Sequence, residues 1–232
     1  MTQLLSEHVE SACQTVHIPA GDILMEGDLQ LPENTSGIVL FAQGGGCARH
    51  SPRTQFIAEV LRQAGIGTLV LDLLMHAEEP QDRMAGAPRF DIRLLSRRLI
   101  AARRWLETRP ETRELKAGVC GAGSGGAAAL VMAAELGKDI AAVVSRGGRP
   151  DLAKKRLPEV WSPTLLIVGA HDETGILRNE EAFASLRCEK TFRIVPGATH
   201  LFEERGRLEQ VAQLSAHWFG KHLGNAGHEP GA

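Results

Sequence analysis

Short, almost wholly apolar runs alternate with longer mixed stretches along most of the chain, and the two patterns predict different elements. The runs 37–42, 68–73, 117–121 and 140–145 carry few polar side chains, as expected of strands covered on both faces. Segments 163–169 and 191–195 predict two more strands. Between them, 56–63, 125–136, 179–186 and 208–223 read as helices. Ser51 and Pro52 suit the cap and first helical position of the earliest one, and Ala64-Gly65 closes it. Upstream, 14–18 and 23–31 are strand-like, the second alternating in part through Leu24, Glu26, Asp28 and Gln30, which predicts an antiparallel edge hairpin. Strands alternating with helices imply an α/β fold with a mostly parallel sheet and helices on both faces. No repeat or linker divides residues 1–223, so one domain is expected, with 224–232 as a disordered tail.

Two stretches break this rhythm. Residues 75–89 are polar and interrupted by Pro80, Gly86 and Pro88, which makes them the longest loop, a candidate lid, with Glu78 and Glu79 as candidates to face a pocket. Asp91 then caps a predicted amphipathic helix through about Thr108, with Ile92, Leu95, Leu99, Ala102 and Leu106 on one side. Its arginines (Arg93, Arg97, Arg98, Arg103 and Arg104) are expected on a solvated face.

Composition narrows the function. A net charge of −2 offers no electrostatic footing for nucleic acid or an anionic membrane. No apolar run approaches the roughly 20 residues that span a bilayer, and the polar start of the chain does not read as a signal peptide. Cys13, Cys47, Cys120 and Cys188 lack metal-ligand spacing. Reduced thiols, a cytoplasmic location and a site without metal are therefore expected.

In a doubly wound sheet, ligands bind beyond the carboxyl ends of the strands, so the residues after each strand carry the chemistry. Run 37–42 is followed by Gln43-Gly44-Gly45-Gly46-Cys47, and 117–121 by the turn Gly121-Ala122-Gly123-Ser124-Gly125-Gly126. Run 163–169 leads to Ala170-His171-Asp172, and 191–195 to Pro196-Gly197-Ala198-Thr199-His200. An elbow, an acid and a histidine in that chain order form a hydrolase arrangement. His200 takes a proton from the attacking group, and Asp172 fixes its tautomer. The N–H of Ser124 and one from the Gly44-Gly45-Gly46 loop suit an oxyanion, and Arg146 or Arg149 suits a substrate carboxylate.

These segments, with Cys47-Ala48-Arg49-His50-Ser51-Pro52-Arg53 and Ser145-Arg146-Gly147-Gly148-Arg149-Pro150-Asp151, resemble the dienelactone-hydrolase-like branch of the α/β-hydrolase superfamily over nearly the whole chain. The resemblance implies an α/β-hydrolase fold, Asp172 as triad acid and His200 as triad base. It further implies an esterase or lactonase acting on a small-molecule ester or lactone without cofactor. Two positions depart from the family pattern. Gln43-Gly44 stands where His-Gly is usual, and Gly123 stands at the nucleophile position, where serine is usual. The chain is then an enzyme silenced at Gly123, or a hydrolase-fold protein that binds a ligand or runs a non-covalent reaction. As a third option, Ser124 attacks in a register slipped by one residue, or Cys47 substitutes. A rival reading takes Gly121, Gly123 and Gly126 as an NADP-binding turn, with Arg146 for the extra phosphate. It leaves Asp172 and His200 unexplained, and the chain contains no tyrosine to serve as a reductase proton donor. A homodimer stays open.

Overall fold

Strands β1 (Gln14–Ala20), β2 (Ile23–Gln30), β3 (Ile38–Gln43), β4 (Gly67–Leu71), β5 (Ala117–Gly123), β6 (Ile140–Gly148), β7 (Thr164–Gly169) and β8 (Lys190–Val195) form one sheet. Its eight strands run in the order β1-β2-β4-β3-β5-β6-β7-β8. This computed structural model describes residues 13–44, 48–78 and 87–224. The β1–β2 hairpin and the β2–β4 pair are antiparallel, and every later pairing is parallel. The hairpin lies at the sheet edge, as its alternation predicts.

Helices α1 (Pro52–Gln63), α2 (Ala87–Phe90), α3 (Ile92–Glu107), α4 (Ser124–Leu136), α5 (Glu173–Ser185) and α6 (Arg207–Leu223) cover the sheet. Successive strand side chains point to opposite faces, and the core divides accordingly. Leu40, Val119 and Leu166 pack with Leu95 and Leu99 of α3 and with the alanine-rich α4. Val39, Phe41 and Ile167 pack on the other face, with Ile57 and Leu61 of α1 and Phe219 of α6. Near-continuous apolar strands are the sequence consequence of this double coverage.

Several caps follow the sequence. The Ser51 hydroxyl accepts from the Thr54 N–H with Pro52 in the first turn, and the Asp91 carboxylate accepts from the Leu94 N–H. Other expectations are corrected. Helix α5 begins at Glu173, not near Asn179, because the Asp172 carboxylate caps it through the Gly175 N–H; Thr174 and Gly175 dilute the helical pattern of that first turn. Strand β6 continues past Ser145 to Gly148, and the connection to β7 contains 3₁₀ turns at Pro150–Ala153 and Leu157–Glu159.

Arg98 and Arg103 are buried rather than solvated. Arg98 donates to the Leu73 carbonyl at 2.6 Å and to both Glu78 oxygens at 2.7 and 2.8 Å. Its long side chain reaches from the helix to the end of β4, which a count of apolar positions does not register. Within the expected 75–89 loop, His76–Glu78 is a 3₁₀ turn and Ala87–Phe90 a short helix. Residues 79–86 lie outside the described residues, as do Glu79 and the tail from 225. Among the described residues, no helix is long and apolar enough to cross a membrane.

Candidate active site

The turn from β5 into α4 is an elbow built by sterics. Gly123 has φ 55° and ψ −130°, a region costly for residues with a side chain. A Cβ added there would meet nothing within 4 Å, so this position faces open space. The flanking glycines differ in kind. A Cβ on Gly125 would lie 2.2 Å from the Ala42 carbonyl oxygen, and one on Gly121 would lie 2.5 Å from Gly126 Cα. Gly121 and Gly125 let α4 sit directly against the strands, whereas Gly123 serves the turn. The glycine spacing is thus accounted for without a bound phosphate.

The other strand ends converge on this elbow. Asp172 follows β7 and His200 follows the neighbouring β8, and a Cβ on Gly169 would lie 2.3 Å from the Thr199 carbonyl oxygen. That close approach brings the two loops together. The His200 Nδ1 lies 2.8 Å from Asp172 Oδ2, while Asp172 Oδ1 accepts from the Gly175 N–H at 2.9 Å. A carboxylate only accepts, so Nδ1 carries a proton, and in the neutral ring the lone pair is on Nε2. The ring is half-exposed while Asp172 is largely covered. A pair of this geometry can act as a base whose orientation is held by the carboxylate.

His200 opens onto a cleft of about 330 Å³, also lined by Gln43, Gly44, Gly123, Ser124 and Arg146, with Arg53, Arg89, Phe90 and Leu201 at its walls. Ser124 is buried at the first position of α4. A Cβ on Gly44 would lie 1.8 Å from Ser124 Oγ, so the loop after β3 lies on that hydroxyl.

Behind the cleft, Arg146 Nη2 donates to Thr54 Oγ1 at 3.0 Å, and Thr54 Oγ1 donates to Gln43 Oε1 at 3.0 Å. A guanidinium only donates, so the direction of this relay is determined and the Gln43 NH₂ is left as a donor. Arg146 is 7% exposed, and its Nε has no partner among the described residues. Burial holds its pKa below the ordinary arginine value, and the nearby Arg53 acts in the same direction. Among the described residues, no Asp or Glu lines the cleft; Arg53 pairs with Glu203 at 2.5 Å.

Of the residues the sequence singles out, Gln43, Gly44, Gly123, Ser124, Arg146 and His200 come together around the cleft, with Asp172 behind His200. Gly45 and Cys47 lie outside the described residues. Arg149 is occupied by Asp151 at 2.7 Å and does not line the cleft. Glu78, a candidate to face a pocket, is held by Arg98 instead and does not line the cleft. Thr54, Arg53, Arg89 and Phe90 were not anticipated. The signal for Thr54 and Arg53 was the Ser51-Pro52 helix start, which sets the first turn of α1 beside the strand ends. Among the described residues, no cluster of His, Cys, Asp and Glu is arranged to hold a metal.

The family model described as "Dienelactone hydrolase family" matches residues 25–220. A crystal structure of a dienelactone hydrolase from Anabaena variabilis ATCC 29413 is 49% identical, with a TM-score of 0.89 over 92% of this chain and 99% of that one. A Mycobacterium tuberculosis protein whose name proposes a phosphoribosyl transferase is 48% identical over 210 residues, 90% of this chain and 46% of that protein. This chain therefore spans about half the length of the curated relatives it matches. At 20% identity, the dienelactone hydrolase-like promiscuous phosphotriesterase P91 from metagenomic libraries shares the fold, with a TM-score of 0.72 over 93% of this chain and 100% of that one.

Proposed function

From the premise that this chain belongs to the dienelactone hydrolase family and is a hydrolase of the α/β type, we propose that it hydrolyses a small ester or lactone bearing an anionic group. The observation that carries this reading is the 2.8 Å His200–Asp172 pair opening on a cleft at an elbow. His200 acts as general base and then as general acid, with Asp172 holding its tautomer and stabilising the imidazolium. The backbone N–H of Ser124 and a loop amide at Gly44 receive the oxyanion. Arg146, buried beside the cleft without a carboxylate partner among the described residues, supports recognition of the substrate's anion, since a guanidinium binds a carboxylate or phosphate with paired hydrogen bonds.

The test is hydrolysis of a panel of p-nitrophenyl esters and small lactones, with and without a carboxylate, by the protein and by His200→Asn. The expected loss on substitution is roughly 10²–10⁴-fold, the usual worth of a positioned base. Equal rates would sink the reading. Binding without turnover is the second reading, favoured by Gly123 alone; a ligand that binds while every ester stays intact would support it.

A further inference from the structure

Position 123 is where this arrangement carries its attacking side chain, and here it carries none. We propose that a water molecule held against Gly123 is the nucleophile, so that the ester is cleaved in one displacement without an acyl-enzyme. This rests on hydrolysis being the reaction, and it deepens that reading by naming the attacking atom.

The elbow keeps its geometry although the side chain is gone. Gly123 retains φ 55° and ψ −130°, and the glycines at 121 and 125 still meet the packing demands of that turn. Apart from its chain neighbours Ala122 and Ser124, nothing among the described residues lies within 4 Å of where a side chain would leave Gly123, and the position lines the same cleft as His200. His200 and Gln43 line the same cleft and supply the acceptor, the Nε2 lone pair, and the donor, the side-chain NH₂, that a bound water requires.

Among the described residues, the neighbouring nucleophiles are poorly placed. Ser124 is one residue further on, at the first position of α4 and buried. Its Oγ lies against Gly44, and no hydrogen bond joins it to His200 among the described residues. Cys120 is buried, and burial pushes its thiol pKa up, away from the thiolate that would attack.

The step balances with these groups alone. His200 Nε2 removes a proton from water as the water oxygen bonds to the carbonyl carbon. The carbonyl electron pair moves to the oxygen facing the Ser124 and loop amides. That pair then returns, the bond to the leaving oxygen breaks, and the imidazolium supplies its proton to the departing alkoxide. Acid and alcohol are the products, and no bond to the protein forms. A site that lacks its triad nucleophile still accelerates the reaction roughly 10³–10⁴-fold over water through its oxyanion donors and binding alone, and His200 acting on the bound water is expected to add to that.

Stopped-flow hydrolysis of p-nitrophenyl butyrate, followed by acid quench and intact-mass measurement, tests this on the full chain, Gly123→Ser, Gly123→Ala and His200→Asn. The unaltered protein is expected to turn over without a burst and without added butyryl mass. Gly123→Ser is expected to show a stoichiometric burst and the butyryl adduct. Gly123→Ala places a methyl where the water sits and is expected to run at least tenfold slower, with its circular dichroism spectrum unchanged. A butyryl adduct on the unaltered chain, mapped to Ser124 or Cys47, would overturn the inference and leave the hydrolase reading intact. So would a folded Gly123→Ala running at the unaltered rate. No hydrolysis above His200→Asn would sink the hydrolase reading itself, and the inference with it.

Discussion

Thr54 shows how much one hydroxyl settles at this site. Between Arg146 and Gln43 it must accept from the guanidinium and donate to the amide, so Gln43 has one orientation. Thr54→Val keeps the shape and removes both bonds. Because the bond from Arg146 is charge-assisted and buried, its loss is expected to cost about 1–3 kcal/mol, read as a lower urea midpoint. Gln43 is then free to turn, so kcat should fall along with stability. Unchanged stability would show that the relay is not formed. This contact was not legible in the sequence, where Thr54 is one polar residue among several in a helix start. His200 and Asp172 were legible because each follows a predicted strand, and strand ends converge in a sheet of this type.

At the level of elements, helices are tied to strand ends by polar side chains as well as by apolar faces. Arg98 on α3 grips Glu78 and the Leu73 carbonyl just after β4. The hydrogen bonds from Arg98 lower the Glu78 pKa, outweighing burial, which acts the other way. A carboxyl depressed in the folded state stabilises fully above its unfolded value of about 4.3. That stability is lost as pH falls through the folded value, where the folded protein must take up the proton. Glu78→Gln is therefore expected to destabilise by about 1–3 kcal/mol at pH 7, discounted toward the lower end because Glu78 is partly exposed. The gap from the unaltered protein should narrow below pH 4. Urea titrations at pH 7 and pH 3.5 check this, and a gap constant with pH would contradict it. The sequence showed α3 and its cap at Asp91 but placed Arg98 with the solvated arginines. Periodicity locates a Cα on a helix face; it does not say what a long side chain reaches.

Across the whole molecule, a chain of net charge −2 sets a buried guanidinium at one cleft. Arg146 lines it and, among the described residues, no acid does, while Arg53 at its wall is paired with Glu203. A carboxylate-bearing ester should therefore show a lower KM than its neutral isostere, and the advantage should shrink as salt rises. Arg146→Gln is expected to remove most of that preference while neutral esters lose less; an unchanged preference would place the anion site elsewhere. The sequence alone determined the sheet with its helices, the edge hairpin and the order of elbow, acid and histidine. Those follow from local periodicity and from chain order, which a folded chain cannot alter. Tertiary structure decided the rest: that Asp172 meets His200 at 2.8 Å while capping α5, that Arg146 is buried behind Gln43, and that Gly123 faces open space. Each joins residues far apart in the chain, where distance and burial depend on how loops and helices pack, and no local pattern encodes that.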